Sequence, residues 1–119
     1  MADRPSRLTG LVVFVGLTLA ACAAPAAAGP VAVSTVDLPP SYRFVPAAIT
    51  VPAGTTVTWT NHDNFTHSVH FLDGGLPGRP QVMAPGTSTT FIFAAPGTYH
   101  YECSFHPRDM QGTVTVTAP

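Results

Sequence analysis

Cys103, His106 and Met110 lie within eight positions of one another. They bring a thiolate, an imidazole and a thioether onto a single loop, which leaves one extended segment at Cys103 and enters the next at Gly112. Soft sulfur donors combined with imidazole favour copper, particularly Cu(I). Two imidazoles and one thiolate in a trigonal set, with a long axial thioether, make a site suited to electron transfer. One further histidine is needed.

Strand parity selects it. Successive side chains of a strand point to opposite faces. From Gly97 to Cys103, Thr98, His100 and Glu102 share one face, and Tyr99, Tyr101 and Cys103 the other, so Cys103 points inward with the aromatics. From His67 to Leu72 the apolar face carries Val69 and Phe71, which places His67 inside and Ser68 and His70 outside. His67 is therefore the second imidazole. His70 and His100 read as solvent-facing strand residues, and His62, in the polar loop Asn61-His62-Asp63-Asn64, as a bystander. Taken singly, Cys103 is a small buried hydrophobe and Met110 a gap-filler; their spacing and parity together argue for ligation.

Redox context sharpens the reading. The chain has two cysteines, Cys22 and Cys103. Arg4 and Arg7 precede an apolar run from Leu11 to Ala21, which has the size of an export signal and is short of the roughly 20 residues of a spanning helix. The run ends in Leu19-Ala20-Ala21-Cys22, which resembles the bacterial lipoprotein cleavage box, where the cysteine becomes the lipid-bearing first residue. Cleavage at Ala26-Ala27-Ala28 would discard Cys22 instead, and Pro25 argues against Leu11 to Ala28 remaining as an anchor. With Cys22 acylated or removed, Cys103 is a lone thiol in an oxidising compartment. It is exposed to oxidation unless buried or already bonded to a metal.

The rest of the chain must position these groups. Of 119 residues, 9% are charged and 45% hydrophobic, with 13 prolines and 10 glycines, the composition of short strands joined by turns. The expected organisation is a signal over residues 1–21, an Ala/Pro/Gly tether over 22–30 and one domain over 31–119. Strands are expected over Val31 to Val36, within Phe44 to Val51, around Val57 and Trp59, and from His67 to Leu72. Others are expected over Thr89 to Ala94, Gly97 to Cys103 and Thr113 to Thr117, with a long loop from Asp73 to Gly86. About seven or eight strands point to an all-β, two-sheet β-sandwich. A formal charge of −1 excludes the basic field that holds nucleic acid. GxGxxG, P-loop and Gly-x-Ser-x-Gly motifs are absent, and neither a second metal centre nor an open coordination position is provided, so no enzyme is expected.

Three segments resemble the cupredoxins, in particular the small blue-copper proteins of plastocyanin and amicyanin type. Phe44 to Gly54 is similar to the family's early strand and turn. Trp59-Thr60-Asn61-His62-Asp63 followed by His67-Ser68-Val69 is similar to its first-ligand segment, and Pro96 to Val114 to its ligand loop. The resemblance implies a Greek-key β-sandwich in which His67, Cys103, His106 and Met110 bind one copper ion. Two departures mark this chain. Three residues separate His106 from Met110, where amicyanins usually have two and plastocyanins four, and Ser68 stands where many relatives have Asn; its backbone N–H is within reach of the Cys103 sulfur.

The expected function is single-electron transfer between redox partners at the bacterial envelope, periplasmic or on the outer surface. The resemblance puts donor and acceptor contacts at a patch around His106. Phe65, Met83 and Phe105 are expected to exclude water from the metal. The protein is expected to be a monomer, held to the membrane by a lipid on Cys22. Beyond that cysteine the domain carries three arginines against five carboxylates, so electrostatic steering of partners is modest. A copper-binding module that sequesters or delivers the metal without shuttling electrons is the competing function; zinc is a poorer fit, because Met110 would be wasted.

Overall fold

Threonines alternating with apolar residues produce the strand that anchors the core: Val57, Trp59 and Asn61 are buried while the intervening threonines face outward. The computed structural model describes residues 10, 16, 29–73 and 76–119. Those residues form eight strands and no helix: β1 (Thr35–Leu38), β2 (Ala48–Pro52), β3 (Thr55–Asn61), β4 (His67–Phe71), β5 (Gln81–Met83), β6 (Ser88–Phe93), β7 (Gly97–Glu102) and β8 (Gln111–Thr117). Among the described residues no helix is long and apolar enough to cross a membrane. Apart from residues 10 and 16, the expected export signal lies outside them, as do Cys22 and most of the tether.

The strands make two sheets, a three-stranded one ordered β1-β3-β6 and a five-stranded one ordered β2-β8-β7-β4-β5. The pairs β1/β3 and β2/β8 are parallel and the remainder antiparallel. Between the sheets Trp59 meets Phe71, Phe91 and Tyr101 edge to face at 5.9, 5.8 and 5.4 Å. Burying roughly 200 Å² of an aromatic at about 25 cal/mol/Å² contributes about 5 kcal/mol, so this cluster is a large part of what holds the two sheets together. Tyr101 lies across Gly112 in the facing strand; a Cβ there would come within 2.2 Å of the tyrosine ring, so only glycine fits.

Beyond shifts of one or two residues at strand ends, two elements differ from the sequence expectation. The first strand is Thr35–Leu38 rather than Val31 to Val36: Val36 and Leu38 are the inward residues, and Val31 makes only an isolated bridge to Ile49. The loop from Asp73 to Gly86 contains β5, which pairs with β4 from His67↔Met83 to Val69↔Gln81. Three residues are too few to display alternation, so β5 leaves no periodic signature. Gly74 and Gly75 of that loop lie outside the described residues.

Candidate metal centre

Cys103 follows the last residue of β7 and His67 opens β4, so two inner strands deliver a thiol and an imidazole to the same end of the sandwich. Both are fully buried. Three residues further on, His106 returns over the end of the sheet, half-buried. The Cys103 Sγ lies 3.8 Å from His67 Nδ1 and 3.8 Å from His106 Nδ1. All three donor atoms fall within 4.8 Å of one another, the one such group of His, Cys, Asp or Glu among the described residues. Metal–thiolate and metal–imidazole bonds of about 2.3 and 2.0–2.1 Å at a trigonal angle would hold sulfur and nitrogen about 3.8 Å apart. The donor set and its spacing fit a single soft transition-metal ion.

The His67 side is built from polar side chains. Buried Asn61 donates through Nδ2 to the carbonyls of Phe65 (2.8 Å) and Met83 (3.0 Å), and its Oδ1 accepts the Asp63 N–H at 3.0 Å. Asp63, itself buried, accepts from His67 Nε2 at 2.8 Å and from the Asn64 N–H at 2.7 Å. That contact turns the Nδ1 lone pair toward Cys103, the arrangement in which a carboxylate fixes the orientation and basicity of a metal-binding imidazole. The hydrogen bond from His67 lowers the Asp63 carboxyl below its ordinary value, against the opposing effect of desolvation. Sequence reading passed over Asp63; its signal was a carboxylate four residues before an inward histidine.

Backbone hydrogen bonds shape the other side. The Cys103 N–H donates to the Met110 carbonyl at 3.0 Å, closing the loop. The His106 N–H donates to Cys103 O at 3.1 Å, and the N–H groups of Asp109 and Met110 donate to His106 O at 3.1 and 3.0 Å. Met110 is fully buried at the foot of this turn.

Ser68 departs from its expected outward position: it is fully buried, because Ser104 closes over it. Its Oγ accepts the Ser104 N–H at 2.8 Å, pairs with Ser104 Oγ at 2.7 Å and lies 3.9 Å from the Cys103 sulfur. The contact seen between serine and sulfur is thus through the hydroxyl. Of the expected apolar shell, Met83 is buried, whereas Phe65 and Phe105 are 55% and 53% exposed. His62 lies 3.6 Å from Asp37 on the surface, and His100 is exposed beside Asp73. His70 faces Glu102 at 3.8 Å across the outer face of the sheet. None of these three joins the His67–Cys103–His106 group. Tyr42, which sequence reading did not single out, does reach it, with its ring 4.5 Å from that of His106.

A two-sheet β-sandwich holding two imidazoles and a thiolate at one end defines a class of small metalloprotein. A model of the cupredoxin-like domain matches residues 10–116, and the chain belongs to that family. It is 36% identical over 83 residues to a plastocyanin of Scenedesmus fuscus, covering 61% of this chain and 85% of that protein. It is 37% identical over 79 residues to amicyanin-alpha of Methylorubrum extorquens, covering 62% of this chain and 64% of that one. Among solved structures, the Cu(I) form of an amicyanin variant superposes with a TM-score of 0.62 at 31% identity, covering 78% of this chain and 87% of its own. The cofactor of the family is one copper ion, and His67, Cys103 and His106 form the candidate site for it.

Proposed function

We propose that this protein is a mononuclear type 1 copper carrier that passes single electrons between redox proteins at the bacterial envelope, with His67, Cys103, His106 and Met110 as ligands. The observation that carries this reading is the Cys103 sulfur set 3.8 Å from the Nδ1 atoms of both histidines. Copper, when bound, supplies a one-electron couple whose two oxidation states both tolerate two imidazoles, a thiolate and a weak thioether. Cys103 and His67, immobilised in the core, keep their donor atoms in place through the change of state. Met110, buried at the foot of the loop, would supply the fourth, weak donor. His106 is the half-buried edge of the set, and the exposed rings of Phe65 and Phe105 give this end of the sandwich an apolar surface for weak, short-lived contacts.

The reading extends to location. Arg4 and Arg7, the apolar run from Leu11 to Ala21 and the Leu19-Ala20-Ala21-Cys22 box support export and a lipid on Cys22, with residues 22–30 as tether and 31–119 as a monomeric domain. Mass spectrometry of the protein from the membrane fraction tests this: a diacylglyceryl adduct on Cys22 is expected, and a mature chain beginning beyond Cys22 rejects it.

The function is tested optically and kinetically. Loading with Cu(II) should give an intense visible thiolate-to-copper band that Cys103→Ser abolishes, together with fast electron self-exchange. A colourless loaded protein rejects the copper reading. A coloured protein with slow exchange and ready Cu(I) transfer to another protein rejects the carrier in favour of copper delivery.

A further inference from the structure

The loop between β1 and β2 is fixed at its base. Asp37 and Val45 exchange both of their backbone hydrogen bonds at 2.8 Å, the His62 N–H donates to the Leu38 carbonyl at 3.0 Å, and Leu38 and Phe44 are buried. Within that frame Ser41 and Tyr42 have φ of +92° and +53°. Two consecutive residues with a Cβ in left-handed conformations are unfavourable, and such strain persists only where the surroundings impose it.

Core burial does not account for it, since Tyr42 remains 38% exposed. Placement does. Its ring centroid lies 4.5 Å from that of His106, 5.9 Å from that of His67 in an edge contact, and 5.8 Å from that of Phe65, nearly parallel at 22°. A residue more than sixty positions away in sequence from His106 thus touches both imidazoles of the site.

The two imidazoles differ in what holds them. His67 is buried and tied through Nε2 to Asp63. Among the described residues, His106 has no carboxylate counterpart: its ring bonds only toward the Cys103 sulfur. An imidazole tethered by one nitrogen can turn about its Cβ–Cγ bond whenever the metal's grip loosens. A second ring packed against it, with centroids 4.5 Å apart and planes tilted by 56°, opposes that turn.

We propose that Tyr42 is a positioning residue for His106, its strained backbone aiming the phenol ring so that the imidazole Nδ1 stays turned toward Cys103. The consequence for metal retention rests on the copper reading given above; the ring contact does not. Aromatic pairs of this kind change an equilibrium by roughly 3- to 10-fold.

The contact is measured in the metal-free protein, by NMR cross-relaxation between the ring protons of Tyr42 and His106; its absence overturns the proposal. The consequence is measured as the rate of Cu(I) transfer to bicinchoninate. Tyr42→Leu, which keeps bulk and loses the ring, is expected to release Cu(I) roughly 3- to 10-fold faster, and Tyr42→Phe at the wild-type rate. A wild-type rate in Tyr42→Leu, or a rate in Tyr42→Phe as fast as that expected of the leucine variant, overturns it. Should Tyr42→Leu fail to fold, the phenylalanine variant and the metal-free contact still decide. A protein that shows the contact yet takes up no copper sinks the copper reading alone, so the two failures are separable.

Discussion

The segments that bring the two imidazoles to Cys103 are held by different means. Residues 61–67 fold around side chains: one buried amide makes three hydrogen bonds, and one buried carboxylate grips the ring it positions. Residues 103–110 fold mainly around their own backbone, a closed turn whose side chains, apart from Cys103, His106, Met110 and the Ser104 hydroxyl bonded to Ser68, face solvent. The first arrangement makes an anchor whose loosening requires exposing buried polar groups. The second makes an edge, able to meet a partner and able to yield without disturbing the core.

The strongest way to break this contrast is to remove the amide. Asn61→Ala removes this donor from the buried Met83 carbonyl and the part-buried Phe65 carbonyl, and leaves the buried Asp63 N–H without its acceptor. At about 1–3 kcal/mol for each orphaned buried group, a loss of roughly 3 kcal/mol or more is expected. In a domain of this size that lowers Tm by more than about 10 °C. Gln111→Ala is the matching deletion on the other side, removing an exposed bond from Nε2 to Pro107 O at 3.0 Å. It should stay within about 0.5 kcal/mol. Thermal melts of the two apoproteins decide; equal shifts would refute the distinction.

How far the sequence exposes this contrast depends on range. Cys103 and His67 were legible because alternation with Tyr99 and Tyr101, and with Val69 and Phe71, fixes which face each occupies. The two-sheet fold was legible for the same reason, repeated along Val57 to Trp59 and Thr113 to Thr117. Contacts made across loops left no such trace. Tyr42 reaches His106 only because the β1–β2 loop crosses the end of the sandwich, and Ser68 is buried only because Ser104 folds over it. Phe65 and Phe105, expected to exclude water from the metal, are both more than half exposed, a depth that residue type in a loop does not encode. Asp63 lay between these cases, local in sequence but in a segment without periodicity.

A smaller effect separates orientation from stability within the first segment. Asp63→Asn keeps an oxygen to accept from His67 Nε2 but removes the negative charge beside the ring. Copper affinity is expected to fall about 10- to 100-fold, as for other carboxylates that orient metal-binding histidines. Cu(II) should suffer more than Cu(I), so the reduction potential should rise. Competition titration with chelators for each oxidation state, alongside voltammetry, checks both. Unchanged affinity would mean that Asp63 serves the loop and not the metal.

Smaller still is the effect expected where the two segments join. Ser68→Ala removes the hydroxyl 3.9 Å from Cys103 Sγ and the acceptor of the Ser104 N–H. A donor near the thiolate draws density from it and favours Cu(I), so its loss should lower the reduction potential. At this length the change should correspond to less than about 1 kcal/mol. A potential identical to the wild type would leave the serine pair a purely structural link between the loops.

The smallest expected effect lies away from both segments and tests whether the copper end is insulated from surface charge. Asp73 accepts from the His100 backbone N–H, and from His100 Nδ1 at 3.0 Å, on the outer face of β7. The backbone bond, opposed by desolvation and aided by the side-chain bond, holds the Asp73 carboxyl below its ordinary value. A carboxyl with a lowered folded-state value stabilises the fold where it is ionised, above the unfolded value of about 4, and loses that contribution as pH falls through the lower folded value. Asp73→Ala should therefore melt slightly below the wild type near pH 6, and the gap should close on acidification below about pH 4. Because Asp73 and His100 are both well exposed, screening keeps the gap small, and added salt should narrow it further. The visible copper band near neutral pH should be the same in both proteins, since Cys103 points to the opposite face of the sheet from His100. A band that moved with this substitution would show that the outer surface reaches the ligand through β7, and the division between a fixed anchor and a yielding edge would have to include the strand that leads into Cys103.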